Sequence, residues 1–174
     1  IGNPYGAFID GIFIKDGADY QHYYATAIGK LIQSRETSFK CVVELGGGFG
    51  GMAYYLIRDN KDLTYIDLDL PENAALTAYY LLKAFPEKKI QLFGETDLTQ
   101  EVIQNNTILI MPSFVVNNFP DHCADLVFNS YSLAEMSKET ISSYISDFAR
   151  IIKRGGYFLH VNHNKQSLVI ADNF

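Results

Sequence analysis

The chain has 174 residues, enough for one domain with a buried core. Its hydrophobic fraction of 48% and charged fraction of 20% are ordinary for a folded protein and exclude wholesale disorder. The net charge is −6 without any run of Lys or Arg, which argues against nucleic acid and anionic membranes as partners. No apolar run reaches the length of a membrane span, and no signal-peptide pattern opens the chain.

The two cysteines, Cys41 and Cys123, each precede an apolar, strand-like run. Their separation fits neither a zinc ligand set nor a disulfide framework, so we predict two small core residues with free thiols. Free thiols favour an intracellular, cytoplasmic setting. We assign no metal site from the sequence.

The spacing of apolar and turn-forming residues predicts the elements in chain order. Residues 1–16 predict a loop with one short hairpin, and residues 20–34 predict a helix. The predicted elements that follow are a strand at 41–45, a helix to 59, a strand at 63–67, a helix from Pro71 to Pro86, a short strand at 90–93, a helical turn within 97–104, and strands at 108–111 and 125–129.

The clearest helix is predicted to begin at an N-cap, Ser137, and carries one apolar stripe. We expect Arg150, Lys153 and Arg154 in its last turn, before a stop at Gly155-Gly156 and a strand at 157–161. Strands alternating with helices predict an α/β, Rossmann-like, doubly wound, mostly parallel sheet with flanking helices. Ligands of such sheets lie beyond the carboxyl ends of the strands.

A glycine-rich turn follows the strand at 41–45. Gly46, Gly48 and Gly51 match the dinucleotide-binding spacing G-x-G-x-x-G, and replacing Gly51 by Gly50 gives G-x-G-x-G equally well. Neither match identifies the ligand by itself. No Gly-Lys-Ser/Thr follows, which removes the P-loop interpretation.

Acidic residues around the turn bear on the choice of ligand. Glu44 ends the strand before Gly46, where its carboxylate would repel a pyrophosphate and attract a ligand with an ammonium and a sulfonium. Asp67 and Asp69, at the end of the next strand, lie where a ribose-binding carboxylate belongs in either kind of site. The residues therefore favour a cationic nucleoside cofactor, with NAD as the alternative.

The run Glu44-Leu45-Gly46-Gly47-Gly48-Phe49-Gly50 resembles the first motif of class I S-adenosylmethionine-dependent methyltransferases. Three further runs narrow the resemblance: Asp-Leu-Asp-Leu-Pro-Glu at 67–72, the stretch 125–136 with Asn-Ser-Tyr-Ser-Leu-Ala-Glu-Met, and Gly-Asn-Pro-Tyr-Gly at 2–6. Together they resemble the sugar O-methyltransferases found in bacterial surface-polysaccharide gene sets. The resemblance implies S-adenosyl-L-methionine as cofactor, a small-molecule or glycan sugar as acceptor, a lead-in at 1–38 and a cofactor-binding domain at 39–174.

The resemblance also implies roles for particular residues. The turn, with Gly46, Gly47, Gly48 and Gly50, would pack against the methionine part of the cofactor, and Glu44 would lie near its amino group. Asp69 would hold the ribose hydroxyls, with Asp67 as second choice. The remaining implied contacts are Ser113 and Phe114 beside the adenine, and Asn129 and Ser130 beneath the sulfonium and methyl group.

Methyl transfer to a sugar also needs a base for the acceptor hydroxyl, placed at the carboxyl ends of the strands. This rule removes His122 and Asp125, which precede a strand and are expected in a solvated loop at the opposite rim. Glu135, His160 and His163 remain as catalytic candidates. His163 is better placed than His160, which can be a structural strand residue, and Glu135 can instead cap the next helix.

Two other functions stay open: a methyltransferase-like module that binds cofactor without catalysis, and an NAD-dependent oxidoreductase. Methyltransferases of the class that the motif resembles carry two further strands after the fifth main strand. Residues 164–174 are too few for both strands and a helix. We therefore expect a sheet that lacks its last two strands, as in a fragment of a longer protein.

Overall fold

A computed structural model describes residues 5–105 and 107–162 of the chain. The strands are β1 (Gly6–Ile9), β2 (Ile12–Lys15), β3 (Lys40–Leu45), β4 (Leu63–Asp69), β5 (Ile90–Leu92), β6 (Ile108–Pro112), β7 (Ala124–Ser130) and β8 (Ile152–Val161). The α-helices are α1 (Ala18–Gln33), α2 (Gly51–Asp59), α3 (Pro71–Ala84), α4 (Gln100–Ile103) and α5 (Lys138–Ile151). Short 3-10 helices cover Ser113–Asn118 and Ser132–Glu135. Within these ranges, none of the helices has the length and apolar character needed to cross a bilayer.

The main sheet has six strands in the order β5-β6-β4-β3-β7-β8, and every neighbouring pair is parallel. The predicted hairpin forms a separate antiparallel sheet of β1 and β2. The chain leaves β3 toward β4 and β6, then returns to the other side of β3 as β7. This reversal opens a crevice at the carboxyl end of β3, where sheets of this kind hold their ligands.

Helices cover both faces of the sheet, which confirms the doubly wound α/β prediction. One buried cluster joins the sheet to α1, α2 and α3, and the other joins it to α4, α5 and the 3-10 helix Ser113–Asn118. Because both faces are covered, β3 and β4 are buried over nearly their whole length. The prediction that the sheet lacks two further strands concerns residues 163–174, which lie outside the described residues.

The register between β3 and β4 sets up the functional end of the sheet. Glu44 pairs with Asp67, and Leu45 pairs with Leu68. Paired residues on neighbouring strands project from the same face. The two carboxylates therefore lie side by side under the start of α2, and Asp69 is the last residue of β4 rather than part of the following loop.

The predicted end of α5 is wrong. The helix ends at Ile151 and β8 follows at once, so residues 153–154 lie in a strand. The pairing of β8 is irregular between the partners of Ala124 and Leu126, which marks a bulge, and Gly155 there has a φ of 66°. The glycine pair thus shapes a strand bulge instead of stopping a helix.

Asp125 lies at the amino end of the sheet, as predicted, but not in a solvated loop. It is a fully buried residue of β7 whose carboxylate accepts hydrogen bonds from Arg35 Nε at 3.0 Å, Lys153 Nζ at 2.7 Å and the Cys41 backbone N–H at 2.9 Å. Burial raises the pKa of such a carboxyl, but these donors and their two charges outweigh it and hold the pKa of Asp125 below its ordinary value. His122 is exposed at the same rim.

Candidate functional site

The glycine-rich turn at 46–50 links β3 to α2. Gly46, Gly48 and Gly50 have φ angles of 78°, 62° and 86°, in the left-handed region that favours glycine. The Gly46 N–H donates to the Leu68 carbonyl at 2.8 Å, which ties the turn to the end of β4. The backbone of the turn is therefore held in place from both of the central strands.

Two glycines of the turn exclude a side chain for different reasons. A Cβ atom on Gly46 would lie 2.5 Å from Ser132 Oγ, so this position depends on the close approach of the loop after β7. A Cβ atom on Gly48 would meet no atom within 4 Å. Since Gly48 borders a cavity, a side chain there would occupy part of the open space beside the turn.

The cavity has a volume of about 400 Å³ and opens beside the turn, at the carboxyl ends of β3, β4, β6 and β7. This volume suits a small-molecule site, for which roughly 300–1,000 Å³ is usual. The predicted site residues that border the cavity are Gly46, Gly48, Asp69, Ser113, Ser130 and Glu135. The structure therefore brings together residues from four separate parts of the predicted site.

Asp69 is held at the cavity wall by backbone and side-chain donors. Its Oδ1 accepts hydrogen bonds from the Leu70 N–H at 2.7 Å and Asn73 Nδ2 at 3.0 Å, and its Oδ2 accepts one from the Gly48 N–H at 2.8 Å. A carboxylate offers about four lone-pair sites, so one site on Oδ2 remains for a ligand. That site fits a hydroxyl donor such as a ribose.

Glu44 and Asp67 lie behind the turn and do not border the cavity. Glu44 is 3% exposed, and its Oε2 accepts a hydrogen bond from the Tyr65 hydroxyl at 2.5 Å. Burial raises the pKa of Glu44 to about 7; the Tyr65 hydrogen bond opposes this rise and the Asp69 charge adds to it.

Asp67 is fully buried beneath Gly47, and neither of its oxygens makes a hydrogen bond of normal geometry within the described residues. Burial is the main cause of its strongly raised pKa, and the neighbouring Glu44 and Asp69 charges add to it. The Gly47 N–H and the Thr77 hydroxyl only partly offset these effects. Three carboxyl groups therefore surround the turn with few positive partners.

Asn129 and Phe114 also lie outside the cavity wall. Asn129 is fully buried, and its Nδ2 donates to the Leu45 carbonyl at 3.0 Å and to Ser132 Oγ at 2.5 Å, so it fixes the loop after β7. Phe114 is 63% exposed and its ring contacts Phe93 edge-on at 5.7 Å, beside a neighbouring apolar groove.

The described base candidates differ in their access to the cavity. Glu135 is exposed and borders it, and the N-cap of α5 is Ser137, so Glu135 is not needed as a cap. His160 lies within β8, stacked on Phe158 at 5.3 Å, with a pKa lowered by burial, and does not border the cavity. His163 lies outside the described residues.

Sequence reasoning missed Tyr131, which borders the cavity directly after β7. Its φ is 66°, a conformation that costs a bulky residue about 1 kcal/mol or more. Its phenol lies beside that of Tyr24 on α1, whose pKa is raised by burial and, to a smaller extent, by Tyr131. Tyr131 does fall within the Asn-Ser-Tyr run noted in the sequence, but nothing in that run reveals a strained backbone or a partner on another helix.

No protein-family model and no curated protein sequence matches the chain. Solved structures do match it. The YcgJ protein from Bacillus subtilis is 18% identical with a TM-score of 0.57, and 85% of this chain covers 54% of that one. The mitomycin 7-O-methyltransferase MmcR is 14% identical with a TM-score of 0.51, for 86% of this chain and 40% of that one. A Methanococcus maripaludis protein assigned as S-adenosyl-L-methionine-dependent methyltransferase is 18% identical with a TM-score of 0.50. That match covers 90% of this chain and 68% of the other.

At these identities the likeness shows the fold. The chain has the Rossmann-like fold of solved methyltransferases, with a mostly parallel six-stranded sheet between two layers of helices. It spans about half the length of the first structures that it matches, at 54%, 42% and 58% of those chains.

Proposed function

We propose that the chain is an S-adenosylmethionine-dependent O-methyltransferase that acts on a sugar hydroxyl, in a surface polysaccharide or its precursor. The observation that carries the proposal is the ring of carboxyl groups around the glycine turn. Glu44, Asp67 and Asp69 all lie there, in a fold shared with methyltransferases. A cationic ligand would be attracted to the Asp69 carboxylate at the cavity wall and would also favour ionisation of Glu44 and Asp67, whose pKa values are raised by burial.

The same observation disfavours NAD. A pyrophosphate needs free backbone N–H groups at the turn and the helix N-terminus. Here the Gly48 N–H is already bonded to the Asp69 carboxylate, and a pyrophosphate in the cavity would face that carboxylate, with Glu44 and Asp67 buried behind the turn. A cationic cofactor such as S-adenosylmethionine is therefore better supported than NAD.

The cavity offers a surface for each part of S-adenosylmethionine. The methionine part would lie against the turn, the ribose against Oδ2 of Asp69, and the adenine between Leu70 and Ser113, with Phe114 at the outer rim. Ser130 would border the sulfonium. When bound, the cofactor supplies a methyl group already activated for transfer.

The protein itself must align the acceptor and remove the proton from its hydroxyl group. Glu135 borders the cavity and is open to solvent, so its carboxylate can take the proton of an acceptor hydroxyl while that oxygen receives the methyl group. A placed base of this kind contributes a factor of about 10²–10⁴. The sugar as acceptor, and transfer to its oxygen, rest on the resemblance of residues 125–136.

The proposal is tested by titrating S-adenosylhomocysteine and NAD into the protein by calorimetry. We expect S-adenosylhomocysteine to bind and Asp69→Ala to weaken it about 10–100-fold, because hydrogen bonds to a charged acceptor are lost. Asp62→Ala, an exposed aspartate at the other end of β4, is the control and should bind normally. Preferential binding of NAD, or an unchanged affinity in Asp69→Ala, would refute the proposal. Binding without transfer to any glycoside would reduce the function to a cofactor-binding module.

A further inference from the structure

The cavity has two ends, set by the order of the strands. Asp69 ends β4 on one side of β3, and Tyr131 follows β7 on the other side. Two strand spacings of roughly 4.8 Å therefore separate the two ends, about 10 Å in all. If the ribose lies at Asp69, the reactive end of the cofactor and the acceptor lie near Tyr131.

The backbone of Tyr131 is clamped in its left-handed conformation. Its N–H donates to the Val161 carbonyl at 2.8 Å, and its own carbonyl accepts from the Ala134 N–H at 3.0 Å. The residue is 40% exposed and borders the cavity. A strained conformation persists only where the surroundings enforce it, and such residues concentrate at functional sites.

The side chain of Tyr131 is supported from α1. Its phenol lies beside that of Tyr24, whose ring lies 5.6 Å from that of the fully buried Phe128. Tyr20 and Tyr23 contact the Tyr24 ring at 6.1 Å and 5.8 Å and are 51% and 69% exposed. Tyr20, Tyr23 and Tyr24 thus form an aromatic cluster on α1 that lies beside Tyr131.

We propose that Tyr131, positioned by Tyr24, binds the methyl acceptor, which is a pyranose whose C–H face stacks on the Tyr131 ring. The hydroxyl to be methylated then points toward Glu135, the other acceptor-side residue on the same loop. A tyrosine combines an apolar face with a polar tip, and a pyranose likewise combines an apolar C–H face with a rim of hydroxyls. This inference rests on the proposed function and adds the residue that selects the substrate.

The test compares Tyr131→Gly with Tyr131→Ala, since both remove the ring but only glycine accepts a φ of 66° without strain. Tyr131→Gly should melt roughly 2–4 °C above Tyr131→Ala. Both should raise the KM for methyl glycopyranosides, used as acceptors with S-adenosylmethionine, at least about tenfold, while the affinity for S-adenosylhomocysteine stays within about threefold. Tyr131→Phe and Tyr24→Phe should give smaller and non-additive changes, because each removes one of two neighbouring phenol groups.

Tyr79→Ala is the control, since Tyr79 is 53% exposed on α3 and does not border the cavity. It should leave the acceptor KM unchanged. An acceptor KM that stays within twofold in Tyr131→Gly would overturn the inference and leave the proposed function intact. An equal loss of S-adenosylhomocysteine affinity in both glycine and alanine variants would assign Tyr131 to the cofactor instead. Failure of the unaltered chain to methylate any glycoside would overturn the sugar methyltransferase itself.

Discussion

Glu44 is a carboxyl group that folding removes from water without supplying a cation. Its neighbours are the Tyr65 hydroxyl and two further carboxyl groups, Asp67 and Asp69. The folded state therefore prefers the protonated form of Glu44. Since its pKa rises from 4.5 to about 7, the folded state binds more protons than the unfolded state between these values. Stability is then lost as the pH rises through this window.

Replacing Glu44 with Gln should relieve this loss. The amide keeps an acceptor for Tyr65 but has no charge to bury. Relative to the unaltered chain, Glu44→Gln should gain about 2–3 kcal/mol in free energy of unfolding between pH 5 and pH 8, measured by urea denaturation. Glu87→Gln, on an exposed loop, should show no such trend. A gain that is equal at both pH values would contradict a buried, protonated Glu44.

The depth of individual side chains is what the sequence could not predict. Glu44 and Asp67 were correctly placed at strand ends, but both were expected to face the ligand. Their in-register pairing puts them beneath Gly47, behind the turn. For Asp125 the sequence indicated the correct rim of the sheet, yet its partners Arg35 and Lys153 come from distant segments and convert a supposed loop residue into a buried ion pair.

At the scale of the element, the glycine turn allows the cost of backbone strain to be distinguished from the loss of space for a ligand. Gly48 and Gly94 both have positive φ, at 62° and 88°, and in both cases a Cβ atom would meet nothing within 4 Å. Alanine at either position therefore destabilises the fold only through backbone strain, by about 1 kcal/mol or slightly more. Gly48 borders the cavity beside Asp69, whereas Gly94 lies in the loop after β5.

Alanine variants of Gly48 and Gly94 can therefore be compared directly. Gly48→Ala and Gly94→Ala should lower the free energy of unfolding by similar amounts, about 1 kcal/mol each. Only Gly48→Ala should weaken S-adenosylhomocysteine, by at least about tenfold, because its methyl group occupies ligand space. Thermal unfolding of both variants measures the loss of stability, and calorimetric titration measures the affinity for S-adenosylhomocysteine. Full affinity in Gly48→Ala would show that the ligand does not approach the turn.

Elements with their own sequence signals were predicted best. Ser137 does cap α5, and its hydroxyl accepts from the Thr140 N–H at 3.2 Å. Pro71 begins α3, as its preset φ favours. The boundary between α5 and β8 was missed because the bulge near Gly155 depends on pairing with β7, and no local pattern encodes that pairing.

At the scale of the whole molecule, the two cysteines lie in one buried cluster. Cys41 and Cys123 are both fully buried. Burial raises the pKa of the Cys41 thiol, with a smaller contribution from Cys123, and burial raises the pKa of Cys123 to about 11. A thiol must ionise and meet its reagent to react, so neither should react in the folded state.

Alkylation with iodoacetamide should therefore report global unfolding. We expect no modification in native buffer at pH 8, and modification of both thiols across the same urea range in which the far-UV circular dichroism signal is lost. Mass spectrometry counts the adducts. Rapid alkylation of only one thiol in native buffer would show that the structure opens locally around that cysteine.

The overall architecture was predictable because strand and helix patterns alternate along most of the chain, and such alternation has few parallel-sheet solutions. The side of the cavity near Tyr131 was not predictable from the sequence. It depends on the proximity of Tyr24 and Tyr131, which come from distant segments of the chain, and no local pattern encodes that proximity.

Ser132 connects the two halves of the cavity. Its Oγ donates to the Leu45 carbonyl at 3.2 Å, accepts from Asn129, and lies against Gly46 where no larger residue fits. The loop that carries Tyr131 and Glu135 is thus fastened directly to the turn. On the proposed function, substitutions at position 131 would change which acceptor is recognised, while Ser132 keeps the base Glu135 at the same distance from the turn. Divergence among proteins that share this site should therefore accumulate at position 131 and spare Ser132.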